Sequence, residues 1–214
     1  MLETMKGAIF DLDGVIVDTA KYHYLAWRAL ARRLGFEFTE ADNERLKGVS
    51  RMESLRILLE VGGVEATEAE REQMAADKND EYVDSISKLE PSEILPGAKE
   101  YLLQLRERGV KIALGSASKN AAFILARLGI AELFDAVIDG TKVSKAKPDP
   151  EVFLAASAAL ALPPSDCVVF EDAEAGVQAG KAAGCRVVGI GSPHILAAAD
   201  LVVSGLHELV QSAR

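Results

Sequence analysis

Four polar segments of the sequence carry side chains that could do chemistry. Two are acidic, Asp11-Leu12-Asp13-Gly14 and Glu171-Asp172, and the other two contain Ser116 and Lys147. Carboxylates that lie close together repel unless a cation lies between them, and an all-oxygen ligand set selects Mg2+ over zinc. A hydroxyl, backbone amides at a helix start and a lysine ammonium group suit a phosphate dianion. Together the four segments predict Mg2+-dependent phosphoryl transfer.

Short apolar runs precede these polar segments and alternate with longer helical patterns. We predict strands at 7–10, 110–114, 136–138, 167–170 and 186–190, and helices at 97–108, 120–128, 150–161 and 173–183. Strands that alternate with helices indicate a parallel sheet covered on both faces. In such sheets functional residues collect at the carboxyl ends of the strands. The predicted fold is therefore α/β, with a Rossmann-like parallel sheet core.

One interval, from about residue 17 to residue 89, contains no convincing strand. Amphipathic stretches at 19–34, 40–46, 52–61 and 67–88 predict helices instead. A helical segment placed after the first strand of an α/β core is typical of an inserted domain. We therefore expect an α/β core of residues 1–17 and 89–214 and an inserted α-helical cap of residues 18–88.

Composition restricts the partners of the protein. The 214 residues carry a net charge of −9, which disfavours nonspecific binding to nucleic acid or to an anionic membrane. No apolar run approaches the length of a membrane span, and the first residues do not resemble a signal peptide. Cys167 and Cys185 lack metal or redox spacing, so we expect buried, reduced thiols. A cytoplasmic monomer is the expectation.

Covalent catalysis is the predicted mechanism. An aspartate beside Mg2+ and a phosphate site suggests an aspartyl phosphate, with Asp11 as the nucleophile. Asp13 lies two residues further along and could serve as general acid and base. Among the nearby lysines we expect Lys147 to point inward, because Pro148 restricts the residue before it to an extended conformation.

A second anion-binding group is also predicted. Arg51, Ser118, Lys119 and Asn120 combine a guanidinium fork, a point charge and neutral donors, which together suit a phosphate dianion. A simple phosphatase needs only one phosphate site. The additional donors therefore favour a substrate or intermediate with two phosphates.

These motifs, in this order, resemble those of the haloacid dehalogenase-like phosphotransferases. The resemblance spans essentially the whole chain and extends into the cap. There the segments 18–23 and 46–51, together with the Ser-Ala-Ser-Lys-Asn run at 116–120, are close to the pattern of the subfamily that contains β-phosphoglucomutase. The resemblance implies a Mg2+-dependent isomerase that interconverts β-D-glucose 1-phosphate and β-D-glucose 6-phosphate through a bound 1,6-bisphosphate.

The resemblance also implies a role for each matched residue. Asp11 would be phosphorylated and Asp13 would exchange protons with the sugar hydroxyls. Mg2+ would be held by Asp11, the backbone carbonyl of Asp13, Glu171 and Asp172. The transferring phosphate would bind Ser116, the Ala117 amide and Lys147, and the second phosphate would bind Arg51, Ser118, Lys119 and Asn120. The cap side of the sugar pocket would be lined by Lys47, Gly48, Val49 and Ser54.

Two cap residues are expected to support catalysis. The family pattern places Thr19 and His23 next to the hinge, where they could hydrogen-bond Asp13 or the linker. Ala173 is a departure, because related mutases often carry serine after the acidic pair, and any hydroxyl contact made there would be absent.

Two alternative functions stay open at this point. The first is a sugar-phosphate phosphatase of the same superfamily, whose cap would admit water. The second is a non-catalytic phospho-acceptor signalling module, which would also be a parallel α/β protein with an acidic Mg2+ site. Small-molecule sugar phosphates are the expected partners whether the protein is an isomerase or a phosphatase.

Overall fold

A six-stranded parallel sheet lies at the centre of the computed structural model, which describes residues 2–46 and 49–211. The strands, in the spatial order β3-β2-β1-β4-β5-β6, place the first strand of the chain in the interior of the sheet. Their bounds are β1 Gly7–Phe10, β2 Lys111–Gly115, β3 Ala136–Ile138, β4 Cys167–Glu171, β5 Arg186–Ile190 and β6 Leu201–Val203.

The register brings three strand ends level with one another. Phe10, the last residue of β1, lies opposite Leu114 of β2 and Phe170 of β4. The residues that follow, beginning with Asp11 and Glu171, therefore emerge side by side at one edge of the sheet. The order of connection reverses at β1, which is where ligands bind in open parallel sheets.

Within the described residues, five α-helices lie between β1 and β2, and the first four of them form the insertion. They are α1 Ala20–Arg33, α2 Glu40–Glu44, α3 Arg51–Gly62 and α4 Glu68–Ile86. Thr39 and Thr67 begin α2 and α4 with capping boxes, in which side chain and backbone bond reciprocally over three residues. Trp27 and Leu58 belong to a hydrophobic cluster formed within the insertion itself.

In the described part of the chain, four further α-helices cover the two faces of the sheet. They are α5 Ala98–Glu107, α6 Ala121–Leu128, α7 Glu151–Ala159 and α8 Glu174–Ala182. One face packs its strands against α5 and α6, with Phe10 stacked on Phe170 at a ring separation of 4.4 Å. Residues of α7 and α8 pack with Ile9 and Val169 on the opposite face. The strands are apolar on both faces because helices bury both.

The two connections between the helical insertion and the sheet are bonded to each other. Val17 bridges Ile94, and the Leu95 amide donates to the Ile16 carbonyl over 2.9 Å. Close by, the Tyr22 hydroxyl donates to Glu93 over 2.7 Å. The insertion therefore leaves and rejoins the core at one place, which is the geometry of a hinge.

The predicted parallel α/β sheet with a helical insertion is confirmed, and each predicted helix lies within two residues of its observed bounds. Leu201–Val203 was not predicted as a strand, because three residues at the edge of a sheet leave almost no pattern. Cys167 and Cys185 are free and buried, as expected. None of the described helices is long and apolar enough to cross a bilayer.

The stacked phenylalanines should contribute strongly to stability. Phe170 is fully buried, so Phe170→Ala removes apolar contacts and leaves a cavity, and it should lower the free energy of unfolding by about 3–5 kcal/mol. Phe123, which is 42% exposed on α6, offers the same substitution with an expected loss of about 0.5 kcal/mol or less. Urea denaturation of both variants measures the difference, and equal losses would contradict the assignment of Phe170 to the core.

Candidate active site

A buried ammonium group joins the two acidic segments. Lys147 Nζ donates to Asp11 Oδ1 over 2.8 Å, to Glu171 Oε1 over 2.5 Å and to the Gly115 carbonyl over 3.1 Å. Burial alone would lower the pKa of Lys147, but the charges of Asp11 and Glu171 outweigh it and raise the pKa above its usual range. The lysine therefore stays charged and connects the ends of β1, β2 and β4.

Three carboxylates at the same edge could hold a cation. Oxygens of Asp11, Glu171 and Asp172 all lie within 4.8 Å of one another. Burial raises the pKa of Glu171 to about 7 against the lowering effect of Lys147, and the charge of Asp11 adds to the rise. Oxygen ligands and excess negative charge are what a hard dication requires. The Ala173 amide still donates to Glu171 over 3.0 Å, so the backbone orients this carboxylate without a side-chain hydroxyl.

Asp13 lies beside this acidic group in a different environment. Its Oδ1 is buried and has no hydrogen-bond partner within residues 2–46 and 49–211. Burial, reinforced by the charge of Asp11, raises the pKa of Asp13 to about 8. A carboxyl group with this pKa can carry a proton near neutral pH, which is what a general acid needs.

The loop after β2 supplies hydroxyl and amide groups. The Ser116 amide donates to the Ile138 carbonyl over 2.9 Å, and the Ser116 hydroxyl accepts from the Ser118 amide over 3.1 Å. Gly140 packs directly on this loop, since a Cβ there would lie 2.3 Å from the Ala117 carbonyl oxygen. The backbone of the loop is therefore held in one conformation, as a phosphate cradle requires.

A cavity of about 350 Å³ lies between the helical insertion and the edge of the sheet. Its volume is in the range of small-molecule sites. Most of the sequence-predicted site residues line it: Asp11, Asp13, His23, Val49, Arg51, Ser54, Ser116, Ala117, Ser118, Lys119, Asn120, Lys147 and Asp172. Thr19 and Glu171 are fully buried and do not line it, and Lys47 and Gly48 lie outside the described residues.

The predicted second anion-binding group gathers on the same cavity. Arg51 begins α3 in the insertion, whereas Ser118, Lys119 and Asn120 precede α6 in the core. Ser118 caps the loop, since its hydroxyl accepts from the Asn120 amide over 3.2 Å. Hydrogen-bond donors from the helical insertion and from the core therefore line the same cavity.

Thr19 and His23 make contacts that differ from those expected. Neither bonds to the buried Oδ1 of Asp13, which has no partner within the described part of the chain. Instead, Thr19 accepts from the Tyr82 hydroxyl over 3.3 Å, and His23 stacks on the Tyr82 ring at 3.8 Å. Burial, together with the charges of Lys78 and Arg51, holds the pKa of His23 well below its usual range. His23 is therefore a neutral side chain that orients its neighbours on α4.

Lys78 is a site residue that sequence reasoning missed. It lines the cavity, is only 2% exposed, and places its ammonium group 2.8 Å from His23 Nδ1 and 4.4 Å from the Trp27 ring centre. Burial, together with the charge of Arg51, lowers its pKa to about 7. Helical spacing could have identified it, because Lys78 lies between Ala75 and Tyr82 on the buried face of α4, where a charged residue is unusual.

Comparison with known proteins gives consistent matches. A sequence model of the haloacid dehalogenase-like hydrolases matches residues 5–184. β-Phosphoglucomutase from Bacillus subtilis is 48% identical, with 96% of this chain and 92% of the relative covered. A phosphorylated carbohydrates phosphatase from Thermotoga maritima is 33% identical over 87% and 85%. The crystal structure of β-phosphoglucomutase from Clostridium difficile superposes with a TM-score of 0.93 at 43% identity, over 96% of this chain and 93% of that one.

Burial of Lys78 should reduce stability in a pH-dependent way. Its folded pKa of about 7 lies below the ordinary value of 10.5, so the folded protein binds the proton more weakly than the unfolded chain does. The destabilisation is complete below about pH 7 and disappears as the pH approaches 10.5. Lys78→Met should therefore stabilise the protein by a few kcal/mol at pH 6 and by much less at pH 10.

Denaturant unfolding at both pH values tests this expectation. Lys88→Met is the matched control, because Lys88 lies near the end of the same helix with a side chain that is 72% exposed. If Lys78→Met raised the free energy of unfolding equally at both pH values, burial of the lysine charge would not be the cause of the stabilisation.

Proposed function

The chain belongs to the haloacid dehalogenase-like hydrolase family, and on that premise we propose that it is a β-phosphoglucomutase. It interconverts β-D-glucose 1-phosphate and β-D-glucose 6-phosphate through an aspartyl-phosphate enzyme and β-glucose 1,6-bisphosphate. The observation that supports this most directly is the pairing, on one cavity, of the Ser116 and Lys147 donors with those of Arg51, Lys119 and Asn120. A molecule with a phosphate at each end would satisfy both sets.

Asp11 is the proposed nucleophile. One of its carboxylate oxygens attacks the phosphorus atom, the bond between phosphorus and the sugar oxygen breaks, and that oxygen takes the proton of Asp13. In the reverse transfer the Asp13 carboxylate removes the proton of the second sugar hydroxyl, which then attacks the aspartyl phosphate. Lys147 holds Asp11 in position over 2.8 Å and offers positive charge to the transferring group.

Mg2+ is the proposed metal. Asp11, the backbone carbonyl of Asp13, Glu171 and Asp172 would hold it, and the clustering of the three side chains supports this assignment. When bound, the ion neutralises the charge of the transferring phosphate. Ser116 and the Ala117 amide would contact the same phosphate, and Thr19 and His23 would act through Tyr82 and Lys78 rather than on the sugar.

The helical insertion is proposed to exclude water. On this proposal the core comprises residues 1–17 and 89–214, and the cap comprises residues 18–88. Val49 and Ser54 of the cap line the cavity and would face the sugar. Water would hydrolyse the aspartyl phosphate, so closure decides between transfer to a sugar and release of phosphate. We further propose that the enzyme acts as a cytoplasmic monomer on small sugar phosphates.

A sugar-phosphate phosphatase is the second candidate. The 33% identity to the phosphorylated carbohydrates phosphatase favours it, since the core residues would serve both reactions. The two functions differ in what accepts the phosphoryl group, a sugar hydroxyl or water. Arg51 on the cap supports the mutase, because a monoester phosphatase has no need of it.

Isomerisation should depend on Mg2+, on a trace of bisphosphate and on Asp11. Purified protein given β-glucose 1-phosphate and β-glucose 1,6-bisphosphate should form the 6-phosphate, detected by 31P NMR, and a chelator should stop the reaction. Asp11→Asn should lower the rate by at least about 10⁴-fold, because it replaces the proposed nucleophilic carboxylate with a neutral amide. Rapid release of inorganic phosphate without isomerisation would establish the phosphatase, and a long-lived phosphoprotein without turnover would establish a signalling module.

Replacement of Arg51 should reduce mutase activity but not the hydrolysis of a small phosphate ester. Arg51→Ala removes charge-assisted hydrogen bonds to the second phosphate and should lower mutase kcat/KM about 10–100-fold. Hydrolysis of p-nitrophenyl phosphate, which has one phosphate, should change by less than about threefold on the same reasoning. Arg56→Ala is the matched control, because Arg56 lies on the same helix with its side chain 54% exposed and paired with Glu53 and Glu60. Equal losses in the two reactions would remove Arg51 from the second phosphate site.

A further inference from the structure

We propose that Asn79 is a positioning residue for the second phosphate, which it serves by holding Arg51 and Asn120 together across the boundary between cap and core. The inference rests on the proposed mutase function and assigns a role to a residue that lies outside the sequence motifs. Asn79 is on α4, well separated in the chain from both of its partners.

A single amide oxygen makes the connection. Asn79 Oδ1 accepts from Arg51 Nη2 over 2.7 Å and from Asn120 Nδ2 over 3.0 Å. Arg51 is the first residue of α3 in the helical insertion. Asn120 is the N-cap residue of α6 in the core. The oxygen therefore bonds one donor from each side of the cavity that it lines.

The two donors keep enough capacity to bind a phosphate while Asn79 holds them. A guanidinium group carries five N–H donors and a side-chain amide carries two. Asn79 occupies one from Arg51 and one from Asn120, and the other side-chain donors of both residues have no partner within residues 2–46 and 49–211, so they are available to an anion. Asn79 itself presents an acceptor at this point, so its Oδ1 orients the phosphate donors and does not bind the phosphate.

Orientation of Arg51 before binding has a measurable consequence. A free arginine side chain loses rotamer freedom when it binds a ligand, and this loss weakens binding. Arg51 and Asn120 are both half-buried and already bonded to Asn79, so part of that ordering precedes substrate binding. The bond to Asn120 also ties the position of the cap to the core loop that carries Ser118.

The neutral amide suits this role better than a carboxylate of the same size. An aspartate at position 79 would accept the same two hydrogen bonds, but its charge would neutralise Arg51 and repel a phosphate dianion. The difference between the amide and the carboxylate is therefore electrostatic and should depend on ionic strength. Removal of the acceptor by an uncharged residue would show no such dependence, because it changes orientation and not charge.

Two substitutions separate orientation from charge. Asn79→Leu removes the acceptor, and should raise the KM for β-glucose 1-phosphate on the order of tenfold, as expected for two side chains that lose their orientation. Asn79→Asp keeps the acceptor and adds charge, and should raise KM further, on the order of 100-fold, at low salt. That excess should shrink between 20 mM and 500 mM NaCl, whereas the effect of Asn79→Leu should not.

A control and a second reaction complete the test. Gln73→Glu adds one negative charge at an exposed position of α4 and should leave both reactions unchanged. Hydrolysis of p-nitrophenyl phosphate should stay within about twofold of wild type in all three variants, because that ester does not occupy the second site. The assignment would be overturned if both reactions lost the same amount of activity, or if the mutase KM were unchanged in either Asn79 variant.

The test also separates this inference from the proposed function. If the wild type isomerises and the Asn79 variants behave as Gln73→Glu does, the mutase stands and the role of Asn79 fails. If the wild type only hydrolyses, the proposed function fails, and inhibition of ester hydrolysis by β-glucose 1,6-bisphosphate becomes the readout. Weaker inhibition by the bisphosphate in Asn79→Leu, with unchanged inhibition by inorganic phosphate, supports the positioning role in that case, and unchanged inhibition by both overturns it.

Discussion

The Lys147 ammonium is buried between the carboxylates of Asp11 and Glu171, and its charge allows both acids to lie at the ends of neighbouring strands. Asp11 directly follows β1 and Glu171 ends β4, both acids are buried, and helices cover both faces of these strands, so water screens their repulsion poorly. Burial of an ion pair is expensive unless each charge is well bonded. Here the lysine has three acceptors, which include the Gly115 carbonyl, and the edge of the sheet acquires its geometry from these bonds.

The same site divides the carboxylates into different roles. Asp11 is bonded to the ammonium group, whereas Asp13, two residues further along, is directed into a space where its Oδ1 finds no partner within the described residues. Both residues follow the end of β1 at Phe10, and the chain then turns at Gly14, so the two carboxylates lie at different places along the turn. One short turn therefore carries a carboxylate suited to attack and a carboxyl group suited to hold a proton.

The helical insertion contributes positive charge from the opposite side of the cavity. Arg51 and Lys78 both face that space, although Lys78 is almost completely buried and its pKa falls to about 7 because burial disfavours its charge. Such a group reduces stability, and its position on the cavity wall makes it a candidate for a functional role. The bridge between Val17 and Ile94 joins the two connections of the insertion, so Arg51 and Lys78 belong to the unit that would close on the proposed phosphate sites.

The sequence by itself determined the sheet and the chemistry at its edge. Asp11, Glu171 and the Ser116 loop directly follow apolar runs, and parallel strands deliver whatever follows them to the same edge, so local pattern is sufficient there. Only the tertiary structure decided the partners of Thr19 and His23, the buried position of Lys78 and the bridge made by Asn79. Those contacts join α1, α3 and α4 to one another and to the core across long separations in the chain. A side chain on a helix does not reveal its partner by spacing alone, because the packing of one helix on another sets that distance.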